Sequence, residues 1–368
     1  MFRLLRTFAT AALVAASTVR GRPQDQTSST TTTGASNTAC NNSPSLCGKQ
    51  YNAITHMGAH NSAFLRDAST GNSVSGNQFL NATAALDAGL RLLQAQVHKP
   101  NSTLELCHTT CGLLDAGSLE AWLAKINTWV VAHPNDVVTV LLVNSDSAPM
   151  TDFATAYTNS GLAKVAYKPA AGSSLTANWP TLQSMIGANT RVVSFVTNAD
   201  YAASAPFLLP EFDHVFETPF EVSAIGGFNC SVNRPSRASP ASSSLASGYM
   251  SLVNHFKYQS VLAGLEIPDV SSIDTVNSAA TSAAGNLGKH LQDCKAEWNK
   301  QPNFVLVDFW NRGDPIAALD SMNAVTDATG RSTAKAGSQS QGSAALGDRK
   351  LGTYGALVAF VAAALLLV

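Results

Sequence analysis

Six short runs along the chain are apolar and rich in β-branched residues: Ala53–Ala59, Leu90–Val97, Val137–Val143, Val192–Val196, His214–Phe220 and Phe304–Phe309. Between them, Ser118–Ala132, Thr181–Ile186, Ile273–Asn299 and Ile316–Val325 read as helices. Ser118 stands where an N-cap would, with Glu120 in the first turn. Continuous apolar strands alternating with helices predict a parallel sheet covered on both faces. Six strands are legible, and two more would close a ring of eight. The fold class expected is therefore α/β, a TIM-type (β/α) barrel in a single domain. A doubly wound sheet is the rival, but no glycine-rich phosphate loop follows the first strand. No repeat of about 20–50 residues is visible, which excludes solenoids and propellers.

The apolar pattern changes character at both ends. Arg3 and Arg6 precede a short apolar stretch that ends in small residues near Ala16. This is the pattern of a secretory signal peptide, taken as 1–21 and cleaved between Ala16 and Gly21. At the other end, Gly342-Ser343-Ala344-Ala345, a polar spacer and the apolar tail 351–368 match a GPI-attachment signal with its acceptor near Gly342 or Ser343. A single-pass tail anchor is the alternative. A Ser/Thr-rich linker (22–39) and a Gly/Ser/Ala-rich stalk (326–343) flank a barrel body of 40–325, and 344–368 is a propeptide lost on lipid attachment. The protein is thus expected at the extracellular face of the plasma membrane or in the cell wall, held by its lipid anchor, as a monomer.

Composition narrows the functions. The chain has 368 residues, a formal net charge of −1 and 13% charged residues, about half the usual ~25%. No basic face is available for nucleic acid. The 45% hydrophobic content argues against disorder throughout. No interior run approaches the ~20 apolar residues of a membrane span. Six cysteines, Cys40, Cys47, Cys107, Cys111, Cys230 and Cys294, suit an exported chain with three disulfides, and 15 pairings are possible. Pairing short loops first gives Cys40–Cys47, Cys107–Cys111 and Cys230–Cys294. No Cys-x₂-Cys pair supports zinc. Asn41, Asn81, Asn101 and Asn229 head N-x-S/T sequons, expected as surface glycan sites.

The candidate chemistry sits at strand ends. His60 falls just past the first strand, where barrel enzymes keep catalytic groups. In the second strand Leu93, Ala95 and Val97 form one face, suited to the helix layer, and Gln94, Gln96 and His98 form the other, pointing into the lumen. That polar row is either a site or an internal hydrogen-bond network. If Cys107 pairs with Cys111, His108 lies in a tight closed loop. Phe304, Leu306, Asp308 and Trp310 share a face of the last strand, and the buried Asp308 needs a partner, most naturally a histidine.

These residues together resemble a known family. Gly58-Ala59-His60-Asn61-Ser62, Gly89-Leu90-Arg91, Leu106-Cys107-His108 and Val307-Asp308-Phe309, in that order, look like the phosphatidylinositol-specific phospholipase C X-domain superfamily, the PLC-like phosphodiesterases. Leu113–Gly117 with Asn135–Val140 resembles its secreted eukaryotic members. The resemblance spans roughly Lys49–Val325. It implies a TIM barrel that cleaves phosphodiesters, with His60 as general base, His108 as general acid and Asp308 paired to a catalytic histidine. Bacterial members stabilise the phosphoryl oxygens with an Arg on the second strand, and animal members use calcium. Here Gln94 and Gln96 occupy those charged positions and Asn61 stands in the first loop, so no metal or other cofactor is expected. Asn61, Gln94, Gln96, His98 and Asn144 are the candidate substrate contacts, and His98, Lys99 and Arg91 are the candidate replacements for the missing charge, although parity turns Arg91 outward.

The reading that follows is a phosphodiesterase acting on a phosphoinositide or glycosyl-inositol lipid. The alternative is a catalytically weak barrel that binds lipid or glycan at the cell surface. A glycosidase would need two carboxylates at strand ends, where only Asp308 and Glu217 qualify. A glycerophosphodiester phosphodiesterase would need an acid pair where Gln94 and Gln96 stand.

Overall fold

The computed structural model describes residues 38–170, 172, 174–261 and 266–333. The expected signal peptide (1–21), most of both linkers and the lipid-attachment segment (344–368) lie outside the described residues. Among those described, no helix is long and apolar enough to cross a membrane.

Among the described residues twelve strands form: β1 His56–Ala59, β2 Leu92–His98, β3 Glu105–Cys107, β4 Asp115–Ser118, β5 Val138–Asn144, β6 Val192–Val196, β7 Leu208–Pro210, β8 Val215–Glu217, β9 Met250–Asn254, β10 Tyr258–Ser260, β11 Glu266–Pro268 and β12 Phe304–Val307. Eight run parallel in the order β7-β6-β5-β2-β1-β12-β9-β8, the curled sheet of a TIM-type barrel with helices outside. The expected fold class is correct. The two strands the sequence left unread are β7 and β9. β3 returns antiparallel along β2, with Val97 opposite Leu106, and pairs in turn with β4. β10 and β11 make a separate antiparallel ribbon.

The ring stays open between β7 and β8, which share no ladder among the described residues. A four-residue helix, Glu211–His214, is all that joins them. A crossover between paired parallel strands takes about a dozen residues or more, so this connection cannot carry the chain around to pair the two.

Alternation on β2 divides the core as expected. Leu93, Ala95 and Val97 pack outward with Val140, Leu142 and Val305 against the helices. Leu92, Leu141, Phe195, Leu252, Phe304 and Leu306 fill the lumen. Gly58 is required in β1 because a Cβ there would lie 2.5 Å from the Leu92 side chain, which plugs the barrel.

Four expectations need correction. The helix read over Ile273–Asn299 is two, Ile273–Val276 and Leu287–Trp298, parted by a segment in which Gly285 takes φ +86°. Trp310 leaves the face of Phe304 and Leu306 and joins the outer core, because Phe309 reverses the alternation at φ +43°. The stalk does not begin at 326: Thr329 N–H donates to Asn42 O, Ser332 N–H donates to Asp87 O, and Arg331 holds Asp320. Residues 326–333 therefore belong to the body. Finally, Asn41 is buried, with Oδ1 accepting from Val137 N–H and Nδ2 enclosed, which leaves no room for a sugar. The other three sequon asparagines are exposed. All three disulfides pair as expected.

Candidate active site

β1 ends in the barrel mouth, and His60 follows directly, its N–H donating to Val307 O at 2.9 Å. Its Nδ1 lies 2.8 Å from Asp308 Oδ1. Both groups are buried, at 6% and 1% exposure, so the pair is shielded from water. Asn77 Nδ2 donates to the same carboxylate oxygen at 3.0 Å, and Gln78 Nε2 donates to His60 O and Val307 O. Phe256 stacks flat on the imidazole, with centroids 3.6 Å apart. A ring held this way has Nδ1 on the carboxylate and Nε2 turned away from it.

His108 arrives from the neighbouring strand pair. The Cys107–Cys111 disulfide closes a loop around it, His108 N–H donates to Leu114 O, and Thr109 N–H donates to Gln96 Oε1 at 2.8 Å. Burial, and then the charge of His60, hold the His108 imidazole down at about 4. The two histidines are thus near enough that charge on one lowers the proton affinity of the other.

Each of the three residues is followed by one in the left-handed region: Asn61 at φ 48°, Thr109 at 62° and Phe309 at 43°. Asparagine adopts this region readily, but a β-branched or aromatic residue does so at a cost of about 1–3 kcal/mol. Such strain persists only where the surroundings impose it. Here the disulfide and Gln96 impose it on Thr109, while Asn277, donating to Asp308 O at 2.8 Å, and the Phe309 N–H bond to Asn77 O impose it on Phe309. The chain is bent sharply just after each candidate group, which aims its side chain.

The amides serve mainly as scaffolding. Gln94 Oε1 accepts from Asn61 N–H at 2.5 Å. Gln96 is used at both ends, its Nε2 donating to Ser145 Oγ at 3.1 Å. Asn144 is absorbed by the loop after β5, exchanging hydrogen bonds with Ala148. His98 Nδ1 meets Asp146 at 3.0 Å and Lys99 Nζ meets Asp152 at 2.6 Å. Arg91 lies buried on Asp136, Leu86 O and Leu90 O. Each of these three side chains is engaged by a carboxylate of the protein. Asn61 Oδ1 is buried without a partner.

The open seam holds groups that sequence reasoning missed. Glu217, ending β8, accepts from Arg234 Nε at 2.6 Å and from Asn254 Nδ2 at 3.2 Å. Glu211 adjoins Glu217; burial, and then the Glu217 charge, push its carboxyl well up. Arg234 lies over the Phe220 ring at 4.3 Å. Tyr258, whose hydroxyl is pushed up by burial and then by Asp308, also feels Arg234. Only Glu217 had been noticed, and no pattern around Arg234 marks it.

Calcium, which the animal enzymes use, does not fit these side chains. Its sites need several oxygen ligands, carboxylates among them. The Gln94 and Gln96 oxygens are already engaged, and Asp308 serves His60 and Asn77.

Comparison with known proteins agrees with this fold. The family model described as PI-PLC X 1 matches residues 46–323. A protein of Arthroderma benhamiae called "PI-PLC X domain-containing protein 1" is 34% identical over 286 residues, 77% of this chain and 89% of that one. A second from the same organism, called "Uncharacterized secreted protein", is 34% identical over 276 residues, 75% of this chain and 61% of that one. Among solved structures, phosphatidylinositol-specific phospholipase C from Listeria monocytogenes superposes with a TM-score of 0.51 at 13% identity, over 74% of this chain and 94% of that chain, a likeness of fold. The chain belongs to the PI-PLC X domain family.

Proposed function

We propose that this protein is a secreted phosphoric diester hydrolase that cleaves an inositol lipid by two-histidine acid–base catalysis. The observation that carries the reading is the buried 2.8 Å His60–Asp308 pair, with His108 within electrostatic reach. His60 Nε2 takes the proton of the inositol 2-hydroxyl, whose oxygen attacks phosphorus. As the bond to the glycerol oxygen breaks, His108 donates a proton to it, leaving a cyclic inositol phosphate and diacylglycerol. Each proton transfer contributes about 10²–10⁴-fold. His108 is neutral in the free protein at pH 7, and an anionic phosphodiester beside it raises its proton affinity toward the working range. Arg234 is the candidate cation for the phosphoryl oxygens. Asn61, with an unengaged Oδ1, is the candidate contact for a substrate hydroxyl.

The disulfides and the secreted relative support an extracellular place. We extend this to a lipid-anchored monomer at the cell surface on the C-terminal pattern of the sequence, with the phosphoinositide or glycosyl-inositol headgroup as substrate. The test is the full chain on phosphatidylinositol micelles, with cyclic inositol phosphate followed by ³¹P NMR, with and without calcium. Product from the wild type and none from His60→Ala is expected. Equal release from both overturns the enzyme. Micelle binding without product would instead favour a binding barrel, the reading that the uncharged Gln94 and Gln96 support.

A further inference from the structure

A pocket of about 340 Å³, lined by neither His60 nor His108, is walled by the loop after β1, the helix Ala82–Ala88, β4 and the helix Leu119–Ala132. Trp122, 92% buried, lines it with the small part of its side chain that remains open. Asn81 stands on the same wall. It heads the sequon Asn81-Ala82-Thr83, and its Oδ1 is fixed by Ala84 N–H and Thr83 Oγ1, both at 2.9 Å. Its exposed side chain makes no hydrogen bond through Nδ2 among the described residues. Asp115 and Lys125 line the same pocket.

We infer that the pocket seats the core N-acetylhexosamine of an N-linked glycan carried by Asn81. The tether names the occupant: a sugar joined to Nδ2 starts at the pocket wall, so its entry costs little of the freedom that a free saccharide would lose. An aromatic side chain among a carboxylate, an ammonium and hydroxyl groups is the mix that recognises a ring carrying both C–H faces and hydroxyls. The attachment is ordinary. The Asn81 Nδ2–C1 bond forms as the C1–O bond of a lipid-pyrophosphate-linked oligosaccharide breaks, and one proton leaves the amide. The seating distinguishes Asn81 from Asn101 and Asn229, which line no part of this pocket.

The test uses the full chain secreted from a eukaryotic host, with glycopeptide mass spectrometry for occupancy. An endoglycosidase that cuts between the two core N-acetylglucosamines is then applied to native and to denatured protein. The Asn81 glycan should be cut about tenfold more slowly than those at Asn101 and Asn229 in native protein, the protection that about 1.4 kcal/mol of seating gives, and equally fast after denaturation. Trp122→Ala should bring the native rate up to that of the other sites. Should that variant fail to fold, Ala116→Trp, filling the pocket from the exposed strand β4, should do the same. Thr83→Ala, which removes the sequon but keeps the Asn81 cap, should leave phosphodiesterase activity unchanged. An empty Asn81, equal native rates at all three sites, or Ala116→Trp without effect overturns the inference, and none of these results bears on the catalytic reading.

Discussion

Asp308→Asn tests the catalytic arrangement most directly. The change keeps the size and an oxygen acceptor but removes the negative charge 2.8 Å from His60 Nδ1. As His60 takes the substrate proton in the proposed reaction, that charge comes to face an imidazolium. At an effective dielectric near 20, two unit charges at this distance attract by about 6 kcal/mol, which is a ceiling. A hydrogen bond to a charged group, about 3 kcal/mol at the upper end, is a floor for so dry a pair. Since about 1.4 kcal/mol is tenfold in rate, kcat should fall by about 10²–10⁴-fold. KM should barely move, because the lost interaction is made only in the transition state. Initial rates on mixed micelles at several lipid mole fractions give both constants, and a melting curve checks that the variant is folded. A folded variant within about threefold of wild-type kcat would refute the role. An equal change in KM and kcat/KM, with kcat kept, would move Asp308 from catalysis to binding.

Burial holds His56 down at about 4 and also lowers His255 and His290. The unfolded chain therefore takes these protons first as pH falls. Their stability contribution is whole above about pH 6.5 and is lost as pH falls from there to about 4 for His56 and His290 and about 3 for His255, at about 1.4 kcal/mol per pH unit for each histidine. Calorimetric Tm should drop from pH 7 to pH 5; a flat profile would show that these rings are charged in the fold. Arg234→Met leaves Glu217, 3% exposed in its side chain, without its cation and should cost about 3 kcal/mol in urea unfolding. Adding Glu217→Gln should recover most of it, whereas additive losses would mean that the pair is uncoupled. Gln96→Arg, which would restore a charge at the position where bacterial relatives keep one, should lower kcat, because it releases the Thr109 N–H that holds the His108 loop. A rise in kcat would show that charge, not loop placement, is limiting.

Strands with unbroken apolar runs were legible in the sequence. β7 and β9 were not, for separate reasons: Leu208-Leu209-Pro210 is three residues long and ends in proline, and Met250–Asn254 carries Ser251 in mid-run. His60, His108 and Asp308 could be read because each has a local marker: a strand end, a pair of flanking cysteines, an acid in an apolar strand. Glu211 and Arg234 have none. They matter only because the ring fails to close between β7 and β8, a property of connection length rather than of any motif. The roles of Gln94 and Gln96 were equally hidden. An amide that meets a ligand and one that clamps a loop occupy the same alternating positions, and only the partner distinguishes them.

The three disulfides differ in when they can form. Cys40 and Cys47 are seven residues apart, Cys107 and Cys111 four, but Cys230 and Cys294 are 64 apart. Closing so short a loop by chain diffusion takes well under a microsecond, so the two local pairs can meet as soon as their second sulfur is made. At about 5–20 residues per second of synthesis, Cys294 trails Cys230 by roughly 3–13 s, and seven of the eight barrel strands precede it. By then four thiols have had time to be consumed. The order of emergence reduces 15 possible pairings to one sequence of events, and the ring that constrains His108 can be complete before the barrel it serves exists.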